Sequence, residues 1–194
     1  LAILKNKNYN FDWIILDHYG IDQKWQSEFL NGFSNNNKPK IMVIDDLANR
    51  SHEANIILNQ NLIELKLKNP YQSLVPENCI NLLGPKYALL DSEYSKIHNK
   101  IKERVDFKKV LIYFGAVDPE NFVEKSLRNL LETNIPDLYV DVVISINSKN
   151  YEKIKKISEK NNNVKIHISL PTLVDLISKA DFSIGAAGST TWER

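Results

Sequence analysis

The chain has 194 residues, enough to bury a sizeable core in one large or two small domains. Its 25 basic and 24 acidic residues leave a formal charge of +1, which excludes the strong basic bias of nucleic-acid and anionic-membrane binders. One cysteine, Cys79, excludes an internal disulfide framework, and no apolar run approaches membrane-spanning length. A lone thiol without a neighbouring base, and no signal-peptide pattern, lead to the expectation of a cytoplasmic protein with an inert buried cysteine. The chain starts at Leu1 without a methionine and stops just inside a helical pattern, which reads as a piece of a longer protein.

Residues 11–16 (FDWIIL) form a continuous apolar run that predicts a strand buried on both faces. After a loop at His18-Tyr19-Gly20, Asp22 is placed to cap a helix whose apolar positions Trp25, Phe29 and Phe33 recur every four residues. Residues 35–39 predict a turn, and residues 41–44 a second buried strand ending at Asp45-Asp46. A polar loop over 47–53 leads to a third strand at 56–58, ending at Asn59-Gln60-Asn61. Strands that end in polar residues are where open α/β sheets place ligands.

Asn69-Pro70 and Val75-Pro76 break the pattern, and residues 82–90 (LLGPKYALL) lead into a lysine-rich helix over 92–104. Beyond it strands and helices alternate. Strand 110–114 is followed by helix 119–132, strand 139–145 by helix 150–160, and strand 164–168 by helix 172–179; strand 182–184 comes last. Such alternation predicts parallel βαβ units with right-handed crossovers. The expected fold is therefore α/β, with two Rossmann-type lobes of parallel sheet, both incomplete. The lobes span residues 1–90 and 109–194, with a linker helix over 91–108.

The densest motif is residues 180–194, ADFSIGAAGSTTWER: a short strand, a glycine turn at Gly185–Gly188, then a helix. A turn of this type can cradle an anion on backbone N–H groups, with Glu193 placed to grip ribose hydroxyls. Thr190 and Glu193 equally form the S/T-x-x-E spacing of a capping box, which needs no ligand. Gly115-Ala116-Val117-Asp118 repeats the strand–glycine–helix order, with Asp118 a good cap and Pro119 suited to the first helical turn. Two such turns in one lobe suggest convergence on one diphosphate. Asp45-Asp46 permits a metal or phosphoacceptor reading, but no partner lysine or third aspartate ends a later strand. Hydrogen bonds to the loop over 47–52 are the expected role of at least one of the pair. The four histidines show no metal-ligand spacing. His18 and Tyr19 have the chemistry of a general base and a hydroxyl donor, and equally of a sheet-edge cap.

Six ordered blocks resemble one family. They are residues 17–22 (DHYGID), residues 44–50 (IDDLANR) with His52, residues 59–61 (NQN), residues 83–90 (LGPKYALL), residues 114–118 (FGAVD) with Asn121, and residues 184–193 (IGAAGSTTWE). Together they resemble the UDP-2,4-diacetamido-2,4,6-trideoxy-β-L-altropyranose hydrolases of pseudaminic acid biosynthesis. These belong to the two-lobed nucleotide-sugar superfamily that includes the lipid II N-acetylglucosaminyltransferases. The resemblance spans essentially the whole chain.

The resemblance implies a GT-B-like pair of lobes and hydrolysis of a UDP-linked sugar at its anomeric C–O bond, without a cofactor or metal. It implies UDP contacts from Gly115, Gly188, Ser189, Thr190 and Glu193, and substrate contacts from Tyr19, Asp118 and Asn121. It implies a UDP-sugar as partner, with no nucleic acid or membrane. The family's catalytic histidine lies in a glycine–histidine loop that residues 1–10 do not match, so no catalytic residue is assigned here and this piece alone is expected to be inactive. Ala116 stands where the family has a second glycine. A glycosyltransferase of the same fold and a non-catalytic nucleotide-binding domain are the alternative functions.

Overall fold

A computed structural model describes residues 11–63, 69–101, 103–115 and 117–194. Residues 1–10 and Ala116 therefore lie outside the described residues, as does Lys102 in the expected linker helix. The chain divides into two compact units, Leu1–Leu89 and Leu90–Arg194.

The first unit carries strands β1 (Trp13–Leu16), β2 (Lys40–Ile44), β3 (Ile56–Asn59) and β4 (Ile80–Leu83), all parallel and in that order across the sheet. Helix α1 (Gln23–Leu30) links the first two, and its start is fixed by Asp22, whose Oδ1 accepts the Trp25 N–H at 3.0 Å. Trp25 stacks on Phe29 at 5.4 Å and Phe29 meets Phe33 at 5.1 Å, so the aromatic spacing persists one turn beyond the helix. Leu16, Ile41, Val43, Ala54, Ile57, Tyr71 and Cys79 form the core on this side. Burial pushes the Cys79 thiol up, as expected of an inert core cysteine.

Two expectations are corrected here. Among the described residues strand β1 lies at the edge of its sheet, and Trp13 and Ile15 are 43% and 63% exposed instead of buried on both faces. Strand β4 was expected only as an approach to the lysine-rich helix. Cys79-Ile80-Asn81 is too short and mixed a run to announce a strand, yet Ile80–Leu83 pairs with β3 along its length.

The second unit has strands β5 (Lys109–Tyr113), β6 (Tyr139–Ile144), β7 (Val164–Ile168) and β8 (Phe182–Gly185) in the order β7-β6-β5-β8, all parallel. Helices α3 (Phe122–Glu132) and α4 (Tyr151–Lys160) bury Val123, Leu127 and Ile154 against one face of the sheet. Helix α5 (Val174–Lys179) covers the opposite face over Leu111 and Val143. Helix α2 (Ser92–His98) packs on α5. It ends at His98, six residues short of the expected Arg104; Arg104 instead donates to the carbonyls of Ile177, Ser178 and Ala180 at the end of α5.

Chain order reverses between β5 and β8, so the crevice beyond their C-terminal ends is the topological switch point where doubly wound sheets bind ligands. The α5 face also buries one charge, Asp141 on β6. Its carboxylate lies 2.6 Å from His167 Nε2 and 3.4 Å from Lys109 Nζ, both on flanking strands. A carboxylate buried this deeply depends on such partners, because a buried charge left uncompensated costs about 3–5 kcal/mol.

Candidate functional site

Strand β5 leaves the sheet through Phe114 to Gly115, at φ +87°, and β8 leaves through Gly185 to Gly188, at φ +126°. Both angles belong to glycine. A Cβ built on Gly115 or Gly188 would meet nothing within 4 Å, so each turn borders open space. Gly185 is glycine for another reason: a Cβ there would run into the carbonyl oxygen of Tyr113, its register partner on β5. The turn after β8 is held by Arg194, which donates to Ala186 O at 2.8 Å, Thr190 O at 3.0 Å and Ser183 Oγ at 3.3 Å.

Helix α6 (Ser189–Glu193) begins at Gly188, which supplies no side-chain cap. The capping box expected from Thr190 and Glu193 does not form, because Gly188 takes the N-cap position and moves Thr190 inside the helix. Glu193 has no hydrogen-bond or ion-pair partner among the described residues, although it is only half exposed. With five residues, α6 adds little macrodipole. The two glycine turns therefore offer backbone and space more than helix charge.

Glu193 and Thr190 line a cleft of about 360 Å³ together with Tyr113, Tyr94, Ser145 and Leu170. Tyr113 is the last residue of β5 and packs against the cluster formed by Leu111, Val143 and Leu173. Its phenol is pushed up by burial first, then by the charge of Glu193. Tyr94 Oη accepts the Leu173 N–H at 3.3 Å, tying α2 to the loop before α5. The sequence reading missed Tyr113, Tyr94, Ser145 and Leu170. The strand-end rule could have found Tyr113, which immediately precedes Phe114-Gly115; the others are gathered by the sheet order.

Asp118 and Asn121 shape the start of α3. Asp118 is buried, and its two oxygens accept the Phe122 and Val123 N–H groups at 2.9 and 3.0 Å. The helix accordingly starts at Phe122, three residues after the expected Pro119, with Asp118 at φ +21° and Asn121 at φ +57°. Asn121 Nδ2 donates to Glu124 at 2.6 Å, and that bond is the first cause of the depressed Glu124 pKa. The first N–H groups of α3 are thus already satisfied by its own chain.

In the first unit, the exposed Tyr19 donates to Asp46 Oδ1 at 2.9 Å beneath the Arg50 guanidinium, 5.9 Å from its ring centre. That donation, followed by the Asp46 charge, raises the Tyr19 pKa. Asp46 also accepts from Asn61 Nδ2 at 3.4 Å. Asp45 behaves as the expected loop anchor: Oδ2 accepts the Ala48 N–H at 2.9 Å, and Oδ1 lies 2.7 Å from Arg50 Nη1. The buried Tyr71 hydroxyl donates to Asp45 O at 2.7 Å and accepts from Asn59 Nδ2 at 3.1 Å. His18 Nδ1 accepts the Gly20 N–H at 2.9 Å, which fixes the ring on its own loop.

Among the described residues, no group of three His, Cys, Asp or Glu side chains is placed to hold a metal ion. Among the same residues, no helix is long and apolar enough to cross a membrane. No protein-family model matches the chain. It is 26% identical over 198 residues to an uncharacterized protein of Methanocaldococcus jannaschii, an alignment that covers 98% of this chain and 40% of the relative. The chain thus spans about two fifths of that relative's length.

Proposed function

We propose that the second unit binds the UDP part of a UDP-sugar, and that the protein hydrolyses a UDP-linked diacetamido-trideoxyhexose at its anomeric C–O bond. The carrying observation is Glu193: a half-buried carboxylate without a hydrogen-bond or ion-pair partner among the described residues, inside a cleft next to the topological switch point. The nucleoside occupies that cleft, with ribose hydroxyls donating to Glu193. The diphosphate lies against the Gly115 and Gly188 turns, where glycine conformation and empty space admit it. The six sequence blocks support a hydrolase of nonulosonate biosynthesis over other UDP-sugar chemistry. The GT-B pairing of the two units, with Tyr19 on the sugar side, belongs to the same proposal.

In the reaction water adds to C1 while the C1–O bond breaks, UDP leaves with the bonding electron pair, and the proton that the water sheds passes to solvent. Negative charge grows on the diphosphate, and preorganised backbone N–H donors at the turns stabilise it. One such donor is typically worth about 3–4 kcal/mol in a transition state. The residues described here bind and orient; none is put forward as the general base.

Turnover in H₂¹⁸O by a chain that carries these 194 residues together with a glycine–histidine loop tests the reaction. The expected result is ¹⁸O in the C1 hydroxyl of the released sugar and unlabelled UDP. Label in the phosphate would mean P–O cleavage and overturn the proposal. Sugar passed to an added acceptor without label would make the protein a glycosyltransferase. UDP binding without any turnover would make it a nucleotide-binding module.

A further inference from the structure

The 360 Å³ cleft holds carboxylates, hydroxyls and apolar groups, and among the described residues no lysine, arginine or histidine lines it. With Glu193 and Asp91 on its walls it repels phosphate, so on the nucleotide reading it takes the uncharged nucleoside end. A ribose diol presents two O–H donors and two oxygen acceptors. Glu193, when ionised, accepts only. A matching donor therefore has to come from a hydroxyl of the cleft.

Tyr113 meets the requirements for that donor. Its hydroxyl has no hydrogen-bond partner among the described residues, while its backbone is fixed in β5 opposite Gly185 and its ring is packed on Leu111 and Val143. Burial and the neighbouring Glu193 charge both keep the phenol protonated. Tyr94, the other phenol of the cleft, accepts the Leu173 N–H and keeps its own O–H to donate; Tyr113 is the phenol on which the Glu193 charge acts, which sets it beside the carboxylate that accepts from the diol.

We propose that Tyr113 is a specificity-determining residue: its hydroxyl donates to a ribose hydroxyl oxygen while Glu193 accepts from the diol, so the cleft selects ribonucleotides over 2′-deoxyribonucleotides. This rests on the nucleotide reading of the same cleft. A site built to hydrogen-bond a hydroxyl discriminates against the analogue that lacks it, because its own polar groups are left unpaired.

The test is calorimetric titration of the 194-residue chain with UDP and with 2′-deoxy-UDP, for the parent and for Tyr113→Phe. The parent is expected to prefer UDP by about tenfold or more. Tyr113→Phe should weaken UDP by about five- to tenfold and 2′-deoxy-UDP by less than about twofold, so that the preference collapses. Equal loss for both ligands would make Tyr113 a structural residue and overturn the proposal, as would no loss for either. If Tyr113→Phe does not fold, the parent decides alone: equal affinity for UDP and 2′-deoxy-UDP overturns the selectivity. Failure of the parent to bind UDP at all would instead condemn the nucleotide reading itself.

Discussion

The carbonyl oxygen of Tyr113 fills the space that a side chain on Gly185 would need, where β5 and β8 run side by side. The clash partner is backbone, so it cannot rotate away as a side chain would. Gly185→Ala should therefore push the two strands apart at the switch point and cost about 1–3 kcal/mol, as overpacking does. Urea unfolding would show this as a lower midpoint at an unchanged slope. An unmoved midpoint would mean that the strands separate without cost. Gly188→Ala differs, because its methyl enters open space from a strained φ; its additional effect should be weaker UDP binding.

Asp118 separates a cap from a ligand. Both of its oxygens already accept N–H groups of α3. Asp118→Ala should lower stability by about 1–2 kcal/mol, the usual effect of losing a good cap. UDP affinity should stay within about twofold, well inside the tenfold that 1.4 kcal/mol would produce. Affinity lost at unchanged stability would instead make Asp118 a substrate contact.

His52 gives the first unit a pH dependence. Gln26 Oε1 accepts the Glu53 N–H at 2.6 Å, so its Nε2 must be the donor to His52 Nδ1 at 3.0 Å. The ring is thereby held neutral, and burial first, then Arg50, lowers its pKa. Folding disfavours the charged ring. The contribution is fully present above the unfolded histidine pKa of about 6.5 and is lost as pH falls from there through the lowered folded value. Urea midpoints of the first unit should fall with acidification in that window. His52→Leu should be less stable throughout but flatter there. An equally steep profile in the variant would assign the slope to other groups.

What was legible in the sequence followed local pattern. The apolar runs located β1–β3 and β5–β8, Asp22 announced α1, and the strand–helix alternation announced parallel sheets. Long-range geometry was not legible. Asn121 adopts a left-handed backbone and Asp118 reaches forward to Phe122 and Val123, so α3 starts late despite Pro119. Ile80–Leu83 is a strand because β3 lies beside it, not because its own sequence alternates. At the site, the glycines and Glu193 stood out by motif, whereas Tyr113 and Ser145 meet Glu193 only through the sheet order. Thr190 and Glu193 carried a sound capping signal that Gly188 overrode by taking the cap position.

Glu193 bears the central claim, and UDP calorimetry on the parent chain and Glu193→Gln tests it most directly. If the carboxylate accepts ribose hydroxyls, the parent binds UDP and the variant binds it more weakly by about 1–3 kcal/mol, the penalty for leaving hydroxyl groups poorly paired. The urea midpoint should not move, because Glu193 has no hydrogen-bond or ion-pair partner among the described residues to lose. Equal UDP affinity in parent and variant, with or without a loss of stability, would contradict the assignment.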